Sequence, residues 1–359
     1  MKAPVPPGGT VGILGGGQLG RMLALAAARL GLRTHVFCDD PKSPASQVCD
    51  AHRVGKFEDL EAVADFASAC DAVTFEFENV PAATIDRIAA VVPASPNARA
   101  LRLTQDRFEE KSFIQALGLS TARFAAVNSA GDARDLFGAF GARAVLKTRR
   151  FGYDGKGQAK PGKADDAAAA FADFKNAPSI MEAFIDFAFE ASVVAARGRD
   201  GAFAAYDPPE NLHEHHILRR STVPGRLSAD QGEAAKAIAR KIADALDYIG
   251  VLAVELFVLK DGSLLVNEIA PRVHNSGHWT IEACAVSQFE QHIRAVCGWP
   301  LGDPARHADA VMENIIGAEA DAWESYARRA GALHLYGKGE ARPGRKMGHF
   351  TALRPLTKR

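Results

Sequence analysis

A chain of 359 residues exceeds what one hydrophobic core ordinarily organises, so two or three domains are expected. Its hydrophobic content of 47% and charged content of 24% are those of a globular protein rather than a disordered or membrane-embedded one. The 43 basic residues balance the 43 acidic ones, so no global field favours nucleic acid or a membrane surface, and any anion site must be built locally.

The opening stretch, Met1 to Gly9, lacks an apolar core, and no long uninterrupted apolar run follows it. That argues against secretion and against a membrane span. Thr10 to Leu14 reads as a strand ending in Gly15-Gly16-Gly17-Gln18-Leu19-Gly20, and Arg21 to Leu30 as the helix that follows. Further strands are expected at Thr34 to Phe37, from Val54, and at Ala72 to Phe77, with a helix over Leu60 to Ser68. Alternation of this kind predicts a parallel sheet with right-handed crossovers and functional loops at the strand C-termini. Val92-Pro-Ala-Ser-Pro96 reads as a hinge into a second unit. There Asp106 to Leu117 is helical, Ala144 to Lys147 a strand, Ala164 to Phe174 a helix, and Ser179 to Phe184 a strand. Phe189 to Ala196 and Ala202 to Tyr206 read as an antiparallel pair, and Ser228 to Ile249 and Ile281 to Cys297 as helices. Beyond Pro300, short β-like pieces (Ala310 to Ile315, Ala332 to Tyr336, His349 to Leu353) suggest a small C-terminal β module. The five cysteines form no C-x-x-C pair and no zinc spacing, so free thiols in a reducing, cytoplasmic compartment are expected.

Two segments carry the chemistry. Lys147 ends a strand and is followed by the basic Gly-rich loop Gly152-Tyr153-Asp154-Gly155-Lys156-Gly157-Gln158. A bare Asp-Gly hairpin would account for the turn. It would not account for Lys147, Arg149, Arg150 and Lys156 crowding one loop with only Asp154 to offset them, which suits a polyphosphate. About a hundred residues on, Glu255 and Asn267-Glu268 sit inside apolar strands, where a carboxylate needs a partner. A shared Mg²⁺ explains all three, and a salt-bridged core is the alternative. The spacing Gly15-x-Gly17-x-x-Gly20 fits a dinucleotide turn, close packing without a ligand, or a site for another anionic or polar ligand. Gln18 inside that turn speaks against a pyrophosphate. His213, His215 and His216 have no third ligand in register and read as a polar loop near the nucleotide. Lys338, Arg342, Arg345 and Lys346, set among glycines, are either a solvated turn or a second phosphate site.

The chain resembles the ATP-dependent N5-carboxyaminoimidazole ribonucleotide synthetase family of the ATP-grasp superfamily. The matching stretches are Gly15 to Met22, Thr74 to Glu78, Gln105 to Arg107, Gly152 to Gln158, Asn211 to His213 and, most specifically, Asn267 to His278. The resemblance implies an α/β, ATP-grasp fold. A Rossmann-like pre-ATP-grasp domain would span 1–96, an ATP-grasp domain 97–300 with a lid at about 120–186, and a C-terminal β module 301–359. ATP would be held by Arg107, Lys147, the loop 152–158, Glu182-Ala183-Phe184-Ile185, Glu190, His213, Asn267 and Glu268, with Mg²⁺ on Glu255 and Glu268. The substrate, 5-aminoimidazole ribonucleotide, would meet Gly17, Gln18, Glu76, Tyr153, Asp154, Arg272, His274 and Asn275, its phosphate lying against Lys338, Arg345 and Lys346. Asp154, Arg272 and Lys338 would be catalytic, with bicarbonate as the second substrate, and relatives are dimers. His-Glu-His-His after Asn211-Leu departs from the family pattern and leaves the loop 214–216 undefined. A formyl-transferring or amine-ligating relative, and more distantly a nicotinamide-dependent dehydrogenase, are the competing readings.

Overall fold

The computed structural model describes residues 3–141, 143–152 and 156–357. Its N-terminal unit is a parallel sheet ordered Ala51–Val54, Arg33–Cys38, Thr10–Leu14, Ala72–Phe75. Alternation sorts its side chains: Val11, Ile13 and Val36 pack towards helix Gln18–Arg29, while Leu14, Phe37, Val73 and Phe75 pack towards helices Leu60–Ser68 and Ala82–Ala89. The third strand from the N-terminus covers Ala51–Val54, so Val54 closes it rather than opening it.

The next unit is an antiparallel sheet ordered Phe124–Val127, Ser179–Ala183, Ala144–Thr148, Gln158–Ala159. Val127, Leu146 and Met181 bury one face beneath helices Ala130–Ala139 and Ala164–Asp173, the second of them alanine-rich. Val145, Lys147 and Glu182 alternate with those residues and face the other way, over a cleft.

The floor of the cleft is a long antiparallel sheet, nine-stranded among the described residues. Along it lie Leu264–Ala270, Gly250–Leu259, Phe187–Arg197, Glu210–Glu214, Ile217–Val223, Asp309–Ile316, Lys346–Arg354 and Ala332–Leu335, and Phe203–Ala205 pairs with Phe187–Arg197 off that path. The C-terminal β module is therefore continuous with the central sheet, joined where Ile217–Val223 pairs with Asp309–Ile316. In Phe187–Arg197, Val193 and Ala195 pack on helix Ala229–Ala245, whereas Val194 and Ala196 pack towards helix Gln288–Cys297. Both faces are covered, which is why the sequence there is continuously apolar.

Two helices differ from their sequence expectation. Ala229–Ala245 begins at a Ser228 capping box but stops short of Ile249, because buried Tyr248 turns inwards and donates its hydroxyl to the Val251 carbonyl at 2.9 Å. The expected helix from Ile281 is broken into Thr280–Ala283 and Gln288–Cys297, since Cys284 is extended and Ser287 starts a new helix by accepting from the Glu290 amide.

Candidate active site

Glu255 and Glu268 are direct cross-strand partners on Gly250–Leu259 and Leu264–Ala270. The register shifts immediately afterwards, Leu256 pairing with Val266, so Asn267 is the extra residue of a β-bulge beside the carboxylate pair. Burial would raise the Glu255 pKa, but the hydrogen bond from His274, with His213 and Arg272 nearby, outweighs it and holds the carboxyl at about 2. His274 Nε2 donates to Glu255 Oε1 at 3.1 Å. Behind it runs a buried polar chain. Asn211 Nδ2 donates to Ser192 Oγ (2.9 Å), Ser192 Oγ to Ser276 Oγ (2.7 Å), and Ser276 Oγ meets His274 Nδ1 at 2.8 Å. Read in that direction, the chain makes Nδ1 the acceptor and leaves Nε2–H to face Glu255, so the tautomer is set from behind.

Helix Arg107–Ala116 fixes Glu268. Glu110 accepts the Ile269 amide at 2.6 Å and Lys111 donates to the Asn267 carbonyl at 3.1 Å, gripping the backbone on either side of Glu268. Both clamp side chains are buried, and burial together with the neighbouring Glu268 charge pushes the Glu110 carboxyl up to about 8. Arg107 donates to Glu268 Oε2 at 3.1 Å and to the Gly152 carbonyl at 3.0 Å. The sequence reading missed Glu110 and Lys111. Their signal is the stripe Arg107, Glu110, Lys111, Ile114, which has the 3.6-residue spacing of a buried helix face.

On the lid side, Lys147 Nζ donates to Glu182 Oε2 at 2.9 Å, with Lys111 Nζ at 3.6 Å from the same oxygen. Burial opposes ionisation of Glu182, yet the two ammonium groups hold it at about 2. The basic loop is also less isolated than the local sequence suggests. Arg149 makes a forked contact with Asp106 at 2.9 to 3.1 Å and reaches Glu109 at 3.4 Å, while Arg150 donates to Gln105. Asp106, Glu109 and Glu182, distant in sequence, therefore offset part of the crowding read from the loop alone. Gly152, Lys156, Gly157 and Gln158 line the cleft; Tyr153, Asp154 and Gly155 lie outside the described residues.

The cleft holds about 540 Å³, within the range of nucleotide-sized sites. Ala183, Phe184 and Ile185 form its edge, and Phe187 and Phe257, unnoticed in the sequence, stack near it at 4.7 Å and 8°. His213 Nδ1 lies 2.7 Å from Glu190 Oε2. His215 and His216 are the two central residues of a hairpin, with φ of 50° and 64°. That is the left-handed turn usually filled by Asn-Gly, and it settles the loop at 214–216 as a tight hairpin tip.

Arg272, His274, Asn275 and Lys346 line the same cleft. Gly17, Gln18, Glu76, Lys338 and Arg345 lie outside its lining. Glu76 is buried and accepts the Gly17 and Gly20 amides at 2.7 and 3.3 Å, and it feels the charges of Arg272 and Lys338. A Cβ on Gly17 would meet Glu76 Oε1 at 2.7 Å, so this glycine serves the approach of the carboxylate. The amides that a dinucleotide pyrophosphate would need are thus occupied by Glu76. Arg272 pairs with Glu78 at 2.6 Å. Arg21 holds Gln47, which donates to the Gly337 carbonyl at 2.8 Å and ties the N-terminal turn to the Lys338 loop. Lys338 Nζ donates to the Lys346 carbonyl at 2.7 Å and sits over the Tyr336 ring, and Arg345 donates to the Glu340 carbonyl at 2.8 Å.

A small antiparallel sheet facing paired carboxylates across a cleft, with a basic Gly-rich loop at its edge, is the arrangement of an ATP-grasp enzyme. The ATP-grasp domain model matches residues 112–289, the ribonucleotide synthetase preATP-grasp domain 9–105, and the phosphoribosylaminoimidazole carboxylase C-terminal domain 310–358. The chain is 50% identical to the N5-carboxyaminoimidazole ribonucleotide synthase of Brucella melitensis, over 99% of both chains. A crystal structure of an ADP complex of N5-carboxyaminoimidazole ribonucleotide synthetase superposes with a TM-score of 0.95 at 39% identity, covering 99% of this chain and 94% of that one. The Aspergillus clavatus enzyme in complex with ADP and 5-aminoimidazole ribonucleotide superposes at 0.91 and 34% identity, covering 97% and 94%. The chain belongs to the N5-carboxyaminoimidazole ribonucleotide synthase family of ATP-grasp ligases. No helix among the described residues is long and apolar enough to cross a membrane.

Proposed function

We propose that this protein carboxylates the exocyclic amine of 5-aminoimidazole ribonucleotide at the expense of ATP, with bicarbonate as the carbon source. The observation that carries the reading is the in-register pair Glu255 and Glu268, lying under a lid lysine and continuous with the Glu76, Arg272 and Lys338 patch.

ATP occupies the cleft, its adenine against the Glu182-to-Ile185 edge, its ribose near Glu190 and His213, and its phosphates towards Arg107, Lys147 and the loop 152–158. Glu255, Glu268 and Asn267 offer only oxygen donors of the kind a hard cation takes, and so fit Mg²⁺. When bound there it would neutralise triphosphate charge. Arg107 then exchanges its contact with Glu268 for phosphate oxygens.

A bicarbonate oxygen attacks the γ-phosphorus, the bond to ADP breaks, and carboxyphosphate results. The substrate amine attacks the carboxyl carbon, inorganic phosphate leaves, and the amine proton is lost. Bicarbonate is a poor electrophile, and phosphorylation supplies the leaving group. The anhydride is short-lived in water, so the lid sheet must exclude solvent until the amine reacts. Arg272, held by Glu78, and Lys338 bring fixed positive charge to the reacting anions, and Lys338, Arg345 and Lys346 take the ribonucleotide phosphate. With this metabolic role, the protein is expected to act in the cytoplasm.

Incubation with isotopically labelled bicarbonate, ATP and 5-aminoimidazole ribonucleotide should yield an acid-labile labelled carbamate. Turnover of ATP with the amine but without label in the product would instead favour an amine-ligating relative.

A further inference from the structure

Away from the cleft, on the outer strands of the sheet, a second cluster of ligating groups is gathered. His334 and His349 are direct cross-strand partners, their rings parallel to within 7° and 4.4 Å apart. Glu282, from the short helix Thr280–Ala283, brings Oε1 to 2.6 Å from His334 Nε2. One donor atom from each of the three residues lies within 4.8 Å of the others.

Two atoms of this cluster are orphaned. Among the described residues, Glu282 Oε2 and His349 Nε2 are buried without a hydrogen-bond partner, and His349 is 0% exposed. A third orphan, Asn314 Oδ1, belongs to the residue directly across the ladder from His349. Buried polar atoms left unpaired are costly, and their concentration at one point calls for something that satisfies them. The other nitrogen of His349 is already engaged, with Tyr336 Oη at 2.8 Å from Nδ1. If that hydroxyl accepts Nδ1–H, the Nε2 lone pair is left facing the cluster, which is the arrangement of a metal-ligating imidazole steadied from behind.

We propose that Glu282, His334 and His349 form a binding site for a divalent transition metal of the zinc class. Two imidazoles and one carboxylate suit zinc, cobalt or nickel, whereas magnesium and calcium take oxygen donors. Three protein ligands leave a fourth tetrahedral position for water. Burial and the neighbouring His278 and His334 keep the His349 pKa well below the ordinary value, so it is neutral as ligation requires. Binding turns the His334 ring out of its stack with His349 and replaces its Nε2–H contact with Glu282, the ring proton passing to Nδ1 so that His334 ligates as a neutral imidazole. His334 is 31% exposed and provides the path of entry. The ion would staple helix Thr280–Ala283 to the C-terminal strands, so its effect is on stability and not on the transfer chemistry.

The test uses the full chain, stripped with chelator and titrated with Co²⁺ in the absence of nucleotide. One Co²⁺ per chain should bind with the visible absorption of a four-coordinate ion, Zn²⁺ should displace it, and saturation should raise Tm. H334Q and E282Q should each weaken binding by at least about 10-fold. His334 is partly exposed, so unchanged far-UV circular dichroism and metal-free Tm would show that H334Q still folds. The double variant E255Q/E268Q should bind Co²⁺ as the wild type does. Absence of a saturable four-coordinate spectrum in the wild type overturns the proposal. So does a spectrum that survives H334Q but is lost in E255Q/E268Q, which would put the ion in the nucleotide cleft.

Discussion

Arg107 donates to Glu268 at 3.1 Å, so a cation suited to phosphate and a carboxylate suited to Mg²⁺ neutralise each other across the floor of the cleft. Each is held separately: Arg107 at the start of its helix, Glu268 by the Glu110 and Lys111 clamp on its backbone. The pairing explains how both charges persist in a half-buried site before a nucleotide arrives. Glu268→Gln keeps the strand and its clamp and removes one ligand charge. ATP turnover should fall by about 100-fold or more, with Tm within a few degrees of the wild type. Near-normal turnover in a folded E268Q would remove Glu268 from the metal site.

The polar chain behind His274 gives a second test. Ser276→Ala removes the hydroxyl that meets His274 Nδ1 and frees the ring to rotate or change tautomer. Turnover or apparent Mg²⁺ affinity should drop by about 10- to 100-fold, and Ser276→Thr should recover part of it. A purely structural role would lower Tm without changing the Mg²⁺ dependence.

Much of this organisation is legible in the sequence, and the exceptions have physical reasons. Glu255 and Glu268 announce themselves because carboxylates inside Leu-Ala-Val-Glu-Leu and Leu-Val-Asn-Glu-Ile are out of place. Their exact opposition is not legible, since register across a hairpin with a bulge depends on tertiary packing. Lys147 is visible as the end of an apolar strand, but its partner Glu182 is 35 positions away. The charge crowding of the loop is overestimated for the same reason: Asp106 and Glu109 approach Arg149 only after folding. Ser192 carries no signal, because a serine in an apolar strand looks like any small filler until its neighbour is known, and Ser276, within the stretch Asn267 to His278, gives no hint that its partner is Ser192. The broken helix at Cys284 is a case where periodicity continues across an interruption that only the Ser287 cap marks.

The Lys338 loop predicts a separable binding effect. The Arg345 side chain donates to the Glu340 carbonyl at 2.8 Å, and the loop is tied to the N-terminal turn through Gln47. Arg345→Ala should raise the KM for the ribonucleotide by about 10-fold or more while moving the ATP KM little. Equal effects on both constants would indicate a nucleotide contact or a folding defect.

Acid stability should depend on His292, which joins the N-terminal sheet to the central one. Its Nδ1 accepts the Val251 amide at 2.9 Å and its Nε2 meets Thr74 Oγ1 at 2.7 Å. Burial lowers its pKa to about 3, so the folded state keeps it neutral. Between about 3 and the ordinary value of 6.5 the unfolded chain binds one more proton at this residue than the folded chain. Stability is therefore fully present above 6.5 and is lost, by about 1.4 kcal/mol per pH unit, as pH falls below it. Denaturant unfolding at pH 5, 6 and 7 should show this slope, and His292→Gln should be less stable at pH 7 yet shallower in its acid dependence. Equal slopes for the two proteins would contradict the assignment.

The central claim, that ATP is spent on activating bicarbonate, is tested most directly by phosphate release with ATP and 5-aminoimidazole ribonucleotide in buffer rigorously freed of bicarbonate and CO₂. Release should be negligible, should return in proportion to added bicarbonate, and with ¹⁸O-labelled bicarbonate should carry one labelled oxygen into the phosphate. Equal release without bicarbonate, or phosphate free of label, would contradict it.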